Sequence, residues 1–277
     1  MSYLSLKSGT DVRGTAVVTT QHPEYELTDK TVADISAAFI KFLSKRVNKN
    51  VNELLVSVGH DSRISADRIK SAVIDRISKM GVNVLNCNYC STPAMFMTTV
   101  TENCDGAIGI TASHHPYDRN GLKFFLRTGG LSGEELTEIL TIADEIKIEE
   151  NEKIGTVTEI DYISKYAEIL KSKIKEGVNA EDYEKPLKGF KIAVDAGNGV
   201  GGFYATKVLE PLGADISASQ FLEPDGMFPN HIPNPENKTA MEFIRKATVE
   251  NNCDLGVIFD TDVDRASCVD ENGEEIN

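Results

Sequence analysis

The chain has 277 residues, 40% of them hydrophobic and 26% charged, with a formal net charge of −14 at pH 7. That length exceeds what one core usually fills, so two domains are expected, and no window holds the apolar run that a membrane span needs. The negative balance opposes nucleic acid and anionic membrane as partners, since both require a cationic face; an anionic small ligand would need a local group of cations or a metal. The first 14 residues lack a basic segment followed by an apolar run, so no secretory signal is expected and the chain is placed in the cytoplasm. Nothing in the sequence specifies an oligomeric state.

Near the N-terminus, residues 8–16 read SGTDVRGTA, a short polar turn that carries Asp11 and Arg13 between glycines. From Asn52 the chain reads LLVSV, the turn GHDSR, an apolar stripe at helical spacing, and then GVNVLNC. This is a strand, helix, strand unit, with Ser65 placed to cap the helix and Gly81 to end it. The HDSR segment by itself reads as a turn with an internal ion pair worth under about 1 kcal/mol. The five cysteines, Cys87, Cys90, Cys104, Cys253 and Cys268, are an odd set in a chain long enough to need no disulfides. Cys87 and Cys90 form a C-x-x-C, but no second Cys or His pair stands at metal spacing, so the pair reads as structural.

Residues 105–125, DGAIGITASHHPYDRNGLKFF, are the first segment with chemistry in it. The apolar strand AIGIT ends in a small-residue turn expected to expose Ser113 at a tip, and the chain returns as the strand LKFFL. A serine hydroxyl needs a neighbouring base or a very good electrophile. His114, His115 and Lys123 lie close in sequence, and Asn120-Gly121 is expected to form the tight turn that folds Lys123 back toward the serine. Residues 145–188 are rich in charge and read as solvated helix faces or a linker, with a domain boundary expected near Gly155. The helical pattern DYISKYAEILKSKI then opens the second domain. A second strand and helix unit follows: KIAVDA as a strand, GNGVGG as a turn, FYATKVLEPL as a helix and ADISASQF as a strand.

Gly197, Gly199 and Gly202 give a G-x-G-x-x-G after a strand and before a helix, with Glu223 further on, which is the context of a dinucleotide-binding turn. Asp195 and Asn198 put a charge and a side chain where a pyrophosphate would approach, and a plain strand-to-helix turn accounts for the glycines as well. Further on, DLGVIFDTDVDRASCVDENG runs a buried strand into Asp260, Asp262 and Asp264. Alternate residues of an extended chain share a face, so the three carboxylates are expected to crowd together there and to need a hard cation such as magnesium, manganese or calcium. An EF-hand is excluded, because Arg265 stands where that loop needs glycine and a strand precedes it. Arg265 reads as a second cation, able to grip two phosphate oxygens.

Together these segments resemble the α-D-phosphohexomutase superfamily, the phosphoglucomutases and phosphomannomutases. SGTDVRG is similar to its N-terminal signature, GHDSRISAD to its first strand-turn motif, STPA to its Thr-Pro turn, TASHHPYDRNGLKFF to its phosphoserine loop and DTDVDR to its metal loop. The resemblance spans about residues 8–275. It implies an α/β fold of two consecutive three-layer α/β/α domains with mixed, mostly parallel sheets: residues 1–155 with the phosphoserine loop and 156–277 with the metal loop. It further implies that Ser113 carries the phosphoryl group and that Asp260, Asp262 and Asp264, with a phosphoserine oxygen of Ser113, bind Mg2+. Lys123 is implied as general acid or base, with His114, Arg13 and Arg265 around the phosphate, and like charge is expected to lower the Lys123 pKa.

The implied substrates are sugar phosphates: hexose 1-phosphate and hexose 6-phosphate, of glucose or mannose, interconverted through a hexose 1,6-bisphosphate. His115 and His60 depart from the residues usual in the family, Asn and Arg. The family's third and fourth domains have no match here, so the chain is expected to be the N-terminal part of the enzyme and inactive alone. Two other readings share these residues: a metal-dependent phosphohydrolase that passes phosphate to water, and a non-catalytic phosphosugar or nucleotide-binding module built on the glycine turn.

Overall fold

A computed structural model of the chain describes residues 2–147, 151 and 153–276. They fall into two compact units, Met1–Ile160 and Asp161–Asn277. No helix among the described residues is long and apolar enough to cross a membrane. Residues 148–150 and 152, within the charge-rich stretch, lie outside the described ones.

The first unit contains, in order, β1 (Lys7–Ser8), β2 (Asp11–Thr15), α1 (Asp29–Val47), β3 (Leu55–His60), α2 (Ala66–Lys79), β4 (Asn83–Tyr89), α3 (Thr92–Thr101), β5 (Gly106–Ile110), β6 (Arg119–Leu126), β7 (Gly129–Gly130), α4 (Gly133–Glu145) and β8 (Val157–Glu159). They build one sheet in the order β1-β2-β6-β5-β3-β4-β8, with β7 on β6. Strands β5, β3, β4 and β8 run parallel, while β1, β2, β6 and β7 join antiparallel. The alternating pleat sends neighbouring side chains of β6 to opposite faces. Phe124 stacks on Phe39 of α1 at 4.5 Å between centroids, and Phe125 meets Phe96 of α3 at 6.2 Å. Helices therefore cover both faces, and the central strands are buried on both sides.

The second unit contains α5 (Tyr162–Val178), β9 (Ile192–Asp195), a wide π-type turn (Tyr204–Leu209), α6 (Lys238–Glu250), β10 (Leu255–Phe259), β11 (Ala266–Asp270) and β12 (Glu275–Ile276). Its sheet runs β12-β11-β10-β9, with β9 and β10 parallel and the rest antiparallel. Both units have the α/β/α architecture.

Several local expectations need correction. Residues 11–15 form a strand of the sheet and not a surface turn, because β2 pairs along its length with β6. Asn120 and Gly121 lie inside β6, so they make no hairpin. A Cβ on Gly121 would strike the Val12 carbonyl and stand 2.7 Å from that of Thr111, so glycine is required here by strands packed at close range and not by a turn. Ser65 does precede α2, but its hydroxyl accepts from Asn120 Nδ2 at 2.8 Å and makes no capping bond. The expected strand ADISASQF is reduced to two isolated bridges, Lys191 with Asp215 and Asp195 with Gln220. The segment after Gly155 still contributes β8 to the first sheet, beside β4.

Candidate active-site loops

Ser113 lies in the loop between β5 and β6. It is buried, 1% exposed, where the sequence led us to expect an open tip. Its φ is +52°, in the left-handed region that non-glycine residues seldom occupy. The loop is fixed from β3. The Thr111 hydroxyl donates to Asp61 Oδ2 at 2.7 Å and accepts from the Ser113 N–H at 2.9 Å. Arg63 then takes the loop carbonyls. Its Nη1 donates to Pro116 O at 2.6 Å and Arg119 O at 2.9 Å, and its Nη2 to His115 O at 2.7 Å and to Ser113 O. Its Nε closes an ion pair with Asp61 at 3.1 Å, and both side chains are fully buried. The guanidinium fork suits such a grip, since it holds five donors in a fixed plane. Thus HDSR, which alone reads as a turn with a weak internal ion pair, is the clamp on the serine loop.

Beside the serine, His114 Nδ1 stands 3.4 Å from Ser113 Oγ. The next ring, His115, has its pKa lowered to about 4, first by burial and then by the positive fields of Arg13, His114, Arg63 and Arg119. His115 is therefore a neutral imidazole at pH 7 and adds no charge where it departs from the usual Asn. His60 is likewise pushed down by burial, with its Nδ1 at 2.7 Å from the Asp61 carbonyl.

Arg13 and Lys123 meet across the β2–β6 ladder. Val12 pairs with Leu122 and Arg13 with Gly121, so Asp11, Arg13 and Lys123 share one face of the sheet. Asp11 Oδ2 contacts Arg13 Nη2 at 3.0 Å and Lys123 Nζ at 3.1 Å. Beside the like charge of Arg13, Lys123 thus also has a carboxylate against it. Asp11 is the residue that sequence reasoning underused. Its position two before Arg13 on a strand is the signal that could have found it.

In the second unit, Asp260, Asp262 and Asp264 lie in the loop between β10 and β11. The mechanism expected for their convergence was wrong. The chain is not extended but curled: Asp260 N–H donates to Arg265 O at 3.2 Å, Val263 N–H to Asp260 O at 3.3 Å, and Arg265 N–H to Asp260 Oδ1 at 3.1 Å. One oxygen from each carboxylate lies within 4.8 Å of the others, with Asp260 and Asp262 buried and Asp264 exposed. Three oxygen donors so crowded fit a hard divalent cation, whose charge would relieve their repulsion. Arg265 is half-buried and reaches Glu236 at 3.4 Å and Asp264 at 4.0 Å.

The glycine turn proves to support this loop. A Cβ on Gly199 would stand 2.5 Å from Thr261 O and 2.8 Å from Thr261 Cα, while Gly202 is pressed equally close to the Leu222 backbone. The space a pyrophosphate would need at Gly199 and Gly202 is filled by protein.

A model of the phosphoglucomutase/phosphomannomutase family, alpha/beta/alpha domain I, matches residues 6–151, and that of its domain II matches residues 164–273. The chain belongs to this family. Its relatives include the phosphoglucomutase of Neisseria gonorrhoeae, 32% identical over 249 residues, covering 89% of this chain and 51% of that protein. The phosphoglucosamine mutase of Alkaliphilus oremlandii is 35% identical over 276 residues, covering 97% of this chain and 56% of that one. A crystal structure of a phosphoglucomutase/phosphomannomutase family protein from Burkholderia thailandensis superposes with a TM-score of 0.80 at 26% identity, covering 100% of this chain and 57% of that one. The chain thus spans about half the length of the curated relatives it matches. Elsewhere in the first unit, STPA forms the start of α3, where the Ser91 hydroxyl caps the helix by accepting from Ala94 N–H. Cys104, deep in the first unit, has its thiol pushed up to about 12, mainly by burial, and Cys90 is also raised by burial, which suits packing and not redox chemistry.

Proposed function

We propose that this chain supplies the phosphoryl-carrying serine and the divalent-ion loop of a phosphohexomutase, an isomerase interconverting hexose 1-phosphate and hexose 6-phosphate. The observation that carries the reading is the pair of pre-shaped loops, one holding Ser113 in the left-handed region and the other gathering three carboxylates within 4.8 Å. Phosphoryl transfer asks for this kind of positioning together with charge neutralisation, and little else.

In the proposed cycle the P–O bond of phosphorylated Ser113 breaks as a sugar hydroxyl of the hexose monophosphate attacks the phosphorus, and the serine oxygen leaves as the anion that attacks in the second transfer. Lys123 exchanges the hydroxyl proton as general acid or base, and Asp11 at 3.1 Å stabilises its ammonium form. The sugar, now a hexose 1,6-bisphosphate, turns over and returns its other phosphate to Ser113, while Lys123 returns the proton. Asp260, Asp262 and Asp264 would hold Mg2+, which when bound neutralises charge on the phosphoryl oxygens. His114 lies at hydrogen-bond reach of the serine oxygen. Arg13, whose Nε is buried with no hydrogen-bond partner among the described residues, offers a donor to a phosphate oxygen, and Arg265 offers a second guanidinium. Glucose or mannose is the hexose that the sequence resemblance favours; relatives named for glucose and for glucosamine extend the candidates to glucosamine.

The test is intact mass and peptide mapping after incubation with glucose 1,6-bisphosphate and magnesium. One phosphate on Ser113, absent from Ser113→Ala, is expected. Phosphate released to water with no phosphoserine formed and no change of sugar isomer would favour a phosphohydrolase instead.

A further inference from the structure

Within the carboxylate loop one residue has a backbone that its side chain disfavours. Val263 has φ +64°, and a β-branched residue in the left-handed region is a genuine outlier. Such strain persists only where the surroundings impose it. Here two neighbours impose it from the glycine turn. Val200 N–H donates to Thr261 O at 2.9 Å, and the Val200 side chain packs with Val263, Val194, Ala205 and Phe259 in one buried cluster. Gly199 lies so close to Thr261 that any side chain would displace it. Thr261 is itself fully buried.

The turn at Val263 has a geometric consequence. Residues 260 and 264 of an extended strand would stand about 13 Å apart, at roughly 3.3 Å per residue. Their carboxylate oxygens instead lie within 4.8 Å of each other and of Asp262. A left-handed residue before Asp264 bends the chain back, so that its carboxylate returns beside the other two.

We infer that Val263, pinned left-handed by the Gly199–Val200 template, is a positioning residue for the divalent cation: the strained turn organises the three carboxylates before the ion arrives. The inference rests on the reading that this loop binds a divalent ion. It also explains the glycine turn, which holds the ion loop in shape.

Mn2+ binding to this chain, followed by electron paramagnetic resonance of the free ion, tests it at a temperature where circular dichroism shows every variant folded. Val263→Gly removes the constraint, and the Mn2+ dissociation constant is expected to rise about 10-fold, the loss due to an ion loop no longer pre-organised. Gly199→Ala, which pushes Thr261 aside, is expected to weaken binding at least as much. Val194→Ala is the control for plain loss of packing: it thins the same buried cluster from β9, and should lower the melting temperature while changing Mn2+ affinity less than about twofold. Wild-type affinity in both Val263→Gly and Gly199→Ala would overturn the inference, as would a Val194→Ala loss equal to theirs. Failure of the wild-type chain to bind Mn2+ would instead remove the metal reading, and the inference with it.

Discussion

Arg63 offers the sharpest quantitative test of how the serine loop is held. Its guanidinium pairs with buried Asp61 and donates to four loop carbonyls, those of Ser113, His115, Pro116 and Arg119. Arg63→Met keeps the volume but leaves the Asp61 carboxylate in the interior without its cation, which costs about 3–5 kcal/mol. The carbonyls add less, because the half-exposed loop can partly rehydrate them; at about 1 kcal/mol for each bond not replaced by water, another 1–2 kcal/mol is expected. Set against a typical domain stability of about 5–15 kcal/mol, the variant should fold but only marginally. Adding Asp61→Asn removes the orphaned charge, so the double variant should be more stable than Arg63→Met alone by about 2–3 kcal/mol, a coupling of the size that contacting residues show. Urea unfolding by far-UV circular dichroism measures this, since the chain has no tryptophan. Hydrogen exchange of peptides across residues 111–119 should report loss of protection in Arg63→Lys, whose single ammonium cannot reproduce the fork. A cost for Arg63→Met under about 1 kcal/mol, with a double variant no more stable than the single, would refute the clamp.

Gly121→Ala should destabilise the first unit by about 2–4 kcal/mol, because its Cβ would collide with backbone carbonyls of β2 and residue 111 that cannot move independently; a melting temperature within a degree of wild type would contradict this. His231 provides a pH dependence. Burial works against its charge, but the hydrogen bond and charge of Asp195, at 3.0 Å, and the Ile232 carbonyl outweigh it and raise the pKa. The stability from this pair is therefore full below the unfolded value of about 6.5 and is lost as pH rises through the higher folded value. Thermal scans should show that decline in the wild type, and His231→Gln should flatten it. Asp262→Ala should abolish the divalent-ion binding that the wild-type loop shows in calorimetry; retained binding would place the ion elsewhere.

The candidate site residues were legible because short-range physics marks them. Three aspartates at alternate positions after a buried strand, or a serine that follows small residues with His and Lys nearby, are unusual enough to read from order alone. Strand and helix periodicity likewise gave the two α/β units, since apolar spacing reports which faces are buried. What the chain order left hidden was every relation between residues distant in sequence. Arg63 read as half of an ion pair within its own turn because its carbonyl partners lie about 50 residues away. Asn120-Gly121 read as a turn because the pressure on Gly121 comes from β2, more than a hundred positions earlier. The glycines at 197–202 matched both a nucleotide motif and a plain turn, and only the packing of Thr261 against Gly199 and of Leu222 against Gly202 separated the two. Composition and spacing fix which atoms can do chemistry; packing between remote segments decides which of them is held, buried or bent into place.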